Sequence, residues 1–130
     1  MIKNKLNVMS DARDLVFGIY GIIGQYPNLN YSLNQQITRA AISVGSNVIE
    51  GQRRGKKEFC RFLDIAIGSC SEVQFQLSLF PIIMNSELTL KPMPMRIEEM
   101  NILCNKIIGQ LVNLKKSIKS RDSLPTALIP

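Results

Sequence analysis

The chain has 130 residues, 45 % apolar and 20 % charged, with 16 Lys and Arg against 10 Asp and Glu. That is the composition of a single globular domain, able to bury about two thirds of its unfolded surface without disulfides or metal, and its net charge of +6 favours anionic partners. It contains no His, which removes the commonest general base and metal ligand and excludes the Glu-x-x-His chemistry of di-iron bundles.

A first helix is expected over about residues 11–26, where Leu15, Val16, Ile19, Ile22, Ile23 and Tyr26 recur with helical spacing. Ser10 or Asp11 can cap it and Pro27-Asn28 ends it. Gly18, Gly21 and Gly24 repeat every third residue. They either admit a neighbouring helix closely or simply weaken the helix, each by up to about 1 kcal/mol relative to Ala. A second helix is expected over about 32–53, opened by the capping box Ser32-Leu33-Asn34-Gln35. Its inward stripe is Leu33, Ile37, Ala41, Val44 and Val48, and small residues at Ala40, Ala41, Ser43, Gly45 and Ser46 allow tight packing. Gly51 and Gly55 supply stop signals.

A third helix is expected over about 57–84. Phe59, Leu63, Ala66, Cys70, Val73, Leu77 and Phe80 alternate spacings of four and three, the seam of left-handed bundle packing. A second set, Phe62, Ile65, Phe75 and Leu79, makes the apolar face broader than one intrachain core needs. At Pro81 the helix either kinks or ends. A loop containing Asn85-Ser86 and Lys91-Pro92-Met93-Pro94 leads to a fourth helix over about 94–120. Its stripe is Ile97, Met100, Cys104, Ile107, Leu111, Leu114 and Ile118, with Glu98 and Glu99 early and Lys115, Lys116 and Lys119 late, as the helix dipole favours. Residues 121–130 have no periodicity and read as an irregular tail, free or docked on a neighbouring subunit. The expectation is one all-α domain over residues 1–130, an antiparallel up-down-up-down four-helix bundle.

The three Cys do not form a disulfide framework. Cys60 and Cys70 are separated by about 15 Å along one helix, too far for a bridge. Cys70 and Cys104 fall on apolar stripes, where a thiol acts as a small hydrophobe, and a reducing compartment follows. The first residues lack a signal-peptide apolar run, and no stretch approaches the roughly 20 apolar residues of a membrane span. A cytoplasmic location is expected.

Function is concentrated between Ser46 and Glu72. Four cations, Arg53, Arg54, Lys56 and Lys57, flank Gly55, and Arg61 follows one turn into the next helix. Such a cluster can neutralise several phosphates with a salt-dependent affinity, or it can be a solvated hairpin. Lys115, Lys116 and Lys119 are a second cationic group whose position a helix C-terminus would favour anyway. With no Trp, and with Tyr20, Tyr26 and Tyr31 away from the cations, single-strand stacking is disfavoured and backbone recognition of structured RNA fits better. Arg39, Asn47, Glu50, Ser69 and Glu72 lie on or beside packing faces. A buried charge must be paired, so Glu72 is expected to meet Arg39 in a structural polar network. No catalytic residue, cofactor or metal ligand is indicated.

The run from Arg39-Ala40-Ala41 through Ser43, Ser46-Asn47 and Glu50-Gly51, then Lys57-Glu58-Phe59, Arg61-Phe62-Leu63, Ile65-Ala66, Gly68-Ser69 and Glu72, resembles the four-helix-bundle proteins encoded by intervening sequences in bacterial 23S rRNA genes. Asp14-Leu15-Val16 and the apolar fourth helix fit the same pattern, so the resemblance covers about residues 11–119. Many members have Pro where Gly45 stands and Ala where Ile49 stands. The family is similar to the accessory variability protein of diversity-generating retroelements, a basic pentameric barrel that works with a reverse transcriptase and RNA. The resemblance therefore implies a four-helix bundle, a homopentameric ring and a non-enzymatic role beside RNA, or one as a scaffold for a reverse transcriptase.

Overall fold

The computed structural model describes residues 2–26, 31–86 and 95–120, with side chains at 7–26, 31–83 and 96–120. Four helices form in chain order: α1 Ile2–Gln25, α2 Tyr31–Gln52, α3 Lys56–Ser86 and α4 Met95–Lys119. Each packs on two others, so the four make a square in the order α1, α2, α3, α4.

Individual contacts fix the directions. Ser43 meets Ser69 and Gly51 meets Phe59 and Phe62, so α2 and α3 run antiparallel. Gln74 reaches Asn101 and Asn105 while Lys115 reaches Asp64, so α3 and α4 do the same. Asp11 meets Lys106 and Gln110 while Gly18 lies under Met100, which closes α1 on α4 antiparallel. The up-down-up-down bundle expected from the four periodic segments is the architecture formed.

The heptad stripes supply its centre. Leu15 and Ile19 of α1, Ile37 and Val44 of α2, Leu63 and Val73 of α3, and Ile107 and Leu111 of α4 are all fully buried. Burying side chains of this size contributes roughly 1.5–3 kcal/mol each, which greatly exceeds anything intrinsic helix propensity can add. All three cysteines are free and buried. Cys70 and Cys104 sit side by side, and their mutual hydrogen bond, followed by burial, pushes the Cys104 thiol far above its ordinary range, so it stays protonated. Among the described residues no helix is long and apolar enough to cross a membrane.

Several local expectations are corrected. α1 begins at Ile2, so Ser10 and Asp11 lie inside the helix and do not cap it; Val8 continues its buried stripe. α2 begins one residue before Ser32, and Gln35 donates to the Tyr31 hydroxyl at 2.7 Å where the capping box would turn it back to Ser32. Two of the three repeated glycines serve helix approach: Met100 covers Gly18 and Arg96 covers Gly21, while none of the described residues lies over Gly24. Gly51 is within the last turn of α2 and does not end it; Gly55 lies between the helices, its carbonyl accepting the Phe59 N–H at 2.9 Å. α3 continues through Pro81 to Ser86, so Asn85 and Ser86 are helical. Burial of Leu77 and Phe80 on one side and contact of Ile83 with the core on the other outweigh the backbone hydrogen bond that Pro81 cannot make. Pro27-Asn28, the Lys91–Pro94 segment and the tail at 121–130 lie outside the described residues.

Candidate nucleic-acid interface

The turn between α2 and α3 is three residues long, Arg53-Arg54-Gly55. The Arg54 N–H closes it onto the Gly51 carbonyl at 3.0 Å. Gly51 matters for a second reason: a Cβ there would stand 2.7 Å from the Phe62 Cβ and 3.0 Å from Phe59 Cδ1. Only a residue without a side chain lets α3 leave the turn so close to α2, and this closeness brings the cations of the turn beside those of the first turns of α3.

The structure gives the five cations two settings, which share Arg61, and leaves Arg53 outside both. Arg54 and Arg61 fold onto one aromatic ring, their guanidinium carbons 5.2 Å and 5.0 Å from the Phe62 centroid. Each is also tethered to a carboxylate of a neighbouring helical turn: Arg54 donates to Glu50 of α2 at 2.6 Å, and Arg61 to Glu58 of α3 at 3.2 Å. The hydrogen bond from Arg54, then its charge, with a smaller contribution from Arg53, hold the Glu50 carboxyl below its ordinary value of 4.5. A lowered carboxyl pKa stabilises the fold above the unfolded-state value and loses that contribution as pH falls through the folded value. Both partners are exposed, so the effect on stability is small.

The second setting faces α4. Lys56, Lys57 and Arg61 form one wall of a cleft of about 450 Å3, and Lys115 and Lys119 form the other, with Cys60 and Ile118 between them. Asp64 bridges the walls, accepting from Lys115 Nζ at 2.6 Å. Glu58 is the other acid in the cleft, so five cations outnumber two carboxylates. Lys56, Lys57 and Lys119 have no ion-pair partner among the described residues. Lys116 is exposed and stands outside the cleft, and Arg53 is exposed at the turn. The arrangement can hold phosphate oxygens between two cationic walls. Among the described residues no cluster of Cys, Asp and Glu is spaced to hold a metal.

The expected polar network forms only in part. The Ser43 and Ser69 hydroxyls share a hydrogen bond of 2.9 Å, and Asn47 Nδ2 donates to the Ser43 carbonyl and hydroxyl, each at 2.8 Å. Glu50 points to Arg54 instead. The expected Arg39–Glu72 pair is not formed: both residues are exposed, and Glu72 accepts a 3.4 Å hydrogen bond from Gln76. Two exposed charges keep their hydration, so nothing compels them to pair within the chain. Ser43, Phe62, Asp64 and Asp11 had no functional reading in sequence, because their partners come from other turns or other helices. The Glu50/Arg54, Glu58/Arg61 and Ser43/Asn47 spacings did carry a local signal.

Four antiparallel helices with a cationic cleft at one end define a small basic four-helix-bundle protein. The chain belongs to the 23S rRNA-intervening sequence protein family, whose model matches residues 4–108. The α3 wall of the cleft lies within that match, and the α4 wall lies beyond it. The fold is also similar to the crystal structure of a protein of unknown function from the S23 ribosomal protein family of Bacteroides thetaiotaomicron, with a TM-score of 0.70 and 19 % identity, covering 87 % of this chain and 98 % of that one. At that identity the likeness concerns the fold alone. No curated protein matches the chain.

Proposed function

We propose that this is a non-enzymatic, RNA-associated bundle protein of the cytoplasm that holds the phosphate backbone of structured RNA in the α3–α4 cleft and along the α2–α3 turn. One observation carries the reading: Lys115 and Lys119, distant in sequence from the basic loop, line the same cleft as Lys56, Lys57 and Arg61. Cations at a helix C-terminus are common, but two cationic groups converging on one cleft form a footprint that several phosphates would neutralise. A homo-oligomeric ring, a pentamer by analogy with the retroelement accessory protein, would repeat the cleft and turn a weak site into useful avidity.

The test is an RNA-binding titration across salt on protein of determined solution mass. Steep weakening with salt is expected. Replacing Arg53, Arg54, Lys56 and Lys57 by Glu should abolish retention with unchanged helicity. Lys115→Ala with Lys119→Ala should lower the salt slope by about two. Binding by the quadruple variant with an unaltered slope overturns the site, and no binding at low salt overturns the RNA reading. A second reading, a scaffold for a protein such as a reverse transcriptase, is favoured by the apolar groove between α1 and α2. A reverse transcriptase gene next to this one would favour it, and a position inside an rRNA gene would favour RNA.

A further inference from the structure

Besides exposed Phe17 of α1 and Ile102 of α4, the described outer surface of the bundle carries a groove and a ridge, both apolar, on different sides. The first is a groove between α1 and α2, two hollows of about 380 and 490 Å3 that meet at Ile42. Exposed Tyr20, Tyr31, Ile42 and Ile49 border it. Arg39 stands in its wall, and in its floor the Asn34 side-chain oxygen is buried with no hydrogen-bond partner among the described residues. The second is a ridge along the outside of α3, where Ile65, Phe75 and Ile82 are 41 %, 65 % and 64 % exposed. Glu72 stands on that ridge, exposed and without an ion pair among the described residues. Arg13 also lines the groove, so its charges are both positive, whereas Glu72 gives the ridge a negative one; apolar surface rimmed by charge in this way marks an interaction face.

We propose that the α3 ridge of one copy of this chain seats in the α1–α2 groove of a second copy, with Glu72 pairing with Arg39 across the contact. The register of the bundle supports this occupant. The Ser43–Ser69 hydrogen bond sets the relative heights of α2 and α3. One turn further along, Arg39 and Glu72 come level, Phe75 is close to the level of Thr38, Ile82 to that of Tyr31 and Ile65 to that of Ile49. Rotation about an axis parallel to the helices leaves heights unchanged. It therefore brings each ridge residue of one copy opposite the groove residue at its own level in the next. Groove and ridge lie on different sides of the molecule, so the contact is head-to-tail and closes into a ring if the rotation allows. The pairing of Arg39 with Glu72 that the sequence suggests is then made between copies, where burial of the apolar flanks would remove competing water.

This rests on the ring reading above and specifies its contact, and the test separates the two. Solution mass is measured by light scattering across a concentration series for the full chain and for Arg39→Glu, Glu72→Arg, the double reversal and Phe75→Asp, with helicity checked by circular dichroism. Each single reversal is expected to raise the dissociation constant about tenfold, and the double reversal to recover most of that loss. Phe75→Asp should raise it about a hundredfold, since a buried aromatic anchor dominates such contacts. All these positions are exposed in the single chain, so folding is not at stake. An unaltered chain that is monomeric at every concentration overturns the ring and this contact together and leaves the groove to a different protein partner. An oligomer indifferent to all four variants keeps the ring and overturns this contact alone.

Discussion

Two seams of the bundle solve the same packing problem in different ways. Between α2 and α3 the contact depends on the absence of bulk: Gly51 lies against Phe59 and Phe62, and the polar link is a pair of small hydroxyls, Ser43 and Ser69. Between α1 and α4 it depends on flexible side chains and a charge. Met100 and Arg96 lie over Gly18 and Gly21, and Asp11, only 13 % exposed, accepts from Gln110 Nε2 at 2.9 Å and faces Lys106 Nζ at 3.2 Å. The first seam joins helices connected by a three-residue turn, so little loop entropy opposes it and shape alone can set the spacing. The second joins the first helix to the last, where a directional polar contact adds register to an otherwise apolar closure.

The largest break in this comparison should come from Gly51→Val. Its Cβ would meet Phe62 at Cβ, next to the backbone where it cannot yield, and the buried Phe59 ring at Cδ1, and overpacking of this kind costs about 3 kcal/mol. Denaturant unfolding measures the loss; an unchanged midpoint would mean that the α2–α3 spacing is adjustable. Asp11→Ala should come next, at about 2 kcal/mol, because it removes a charge-assisted acceptor and leaves the half-buried Gln110, whose Oε1 already lacks a partner, without either link. The same measurement in the Gln110→Ala background sharpens the result: the Asp11 effect should shrink there if the two act as a pair. The smallest effect is expected for Gly18→Ala. The added methyl meets only the movable end of Met100, and the gain in helix propensity offsets the displacement to within about 1 kcal/mol. A loss as large as that of Gly51→Val would show that the α1–α4 seam is as rigid as the α2–α3 seam.

Much of this was legible in the chain. The four-and-three alternation through Leu63, Cys70 and Leu77, and through Cys104, Ile107 and Leu111, identified the core because those positions share one helix face and all are buried. Ends were less legible. Ser10 and Asp11 are good capping residues and point to a start of α1 near residue 11, but tertiary packing of Val8 outweighs that local preference and the helix starts at Ile2. In the candidate interface, the cluster around Gly55 was plain in the sequence, as was the tethering spacing of Glu50 and Arg54. The other wall of the cleft was not, since Lys115 and Lys119 reach it only when α4 lies antiparallel to α3.

Periodicity, composition and charge by themselves determined the helical class, the number of helices, the core positions and the basic character, because each follows from which side chains share a face of a regular helix. Tertiary structure alone decided which cations gather in a cleft and which fold onto Phe62, which glycines are covered, and that Arg39 and Glu72 stand apart on two outer faces. Those outcomes depend on distances between helices. Such distances are set by the summed packing of four apolar stripes, and no local pattern of residues encodes them.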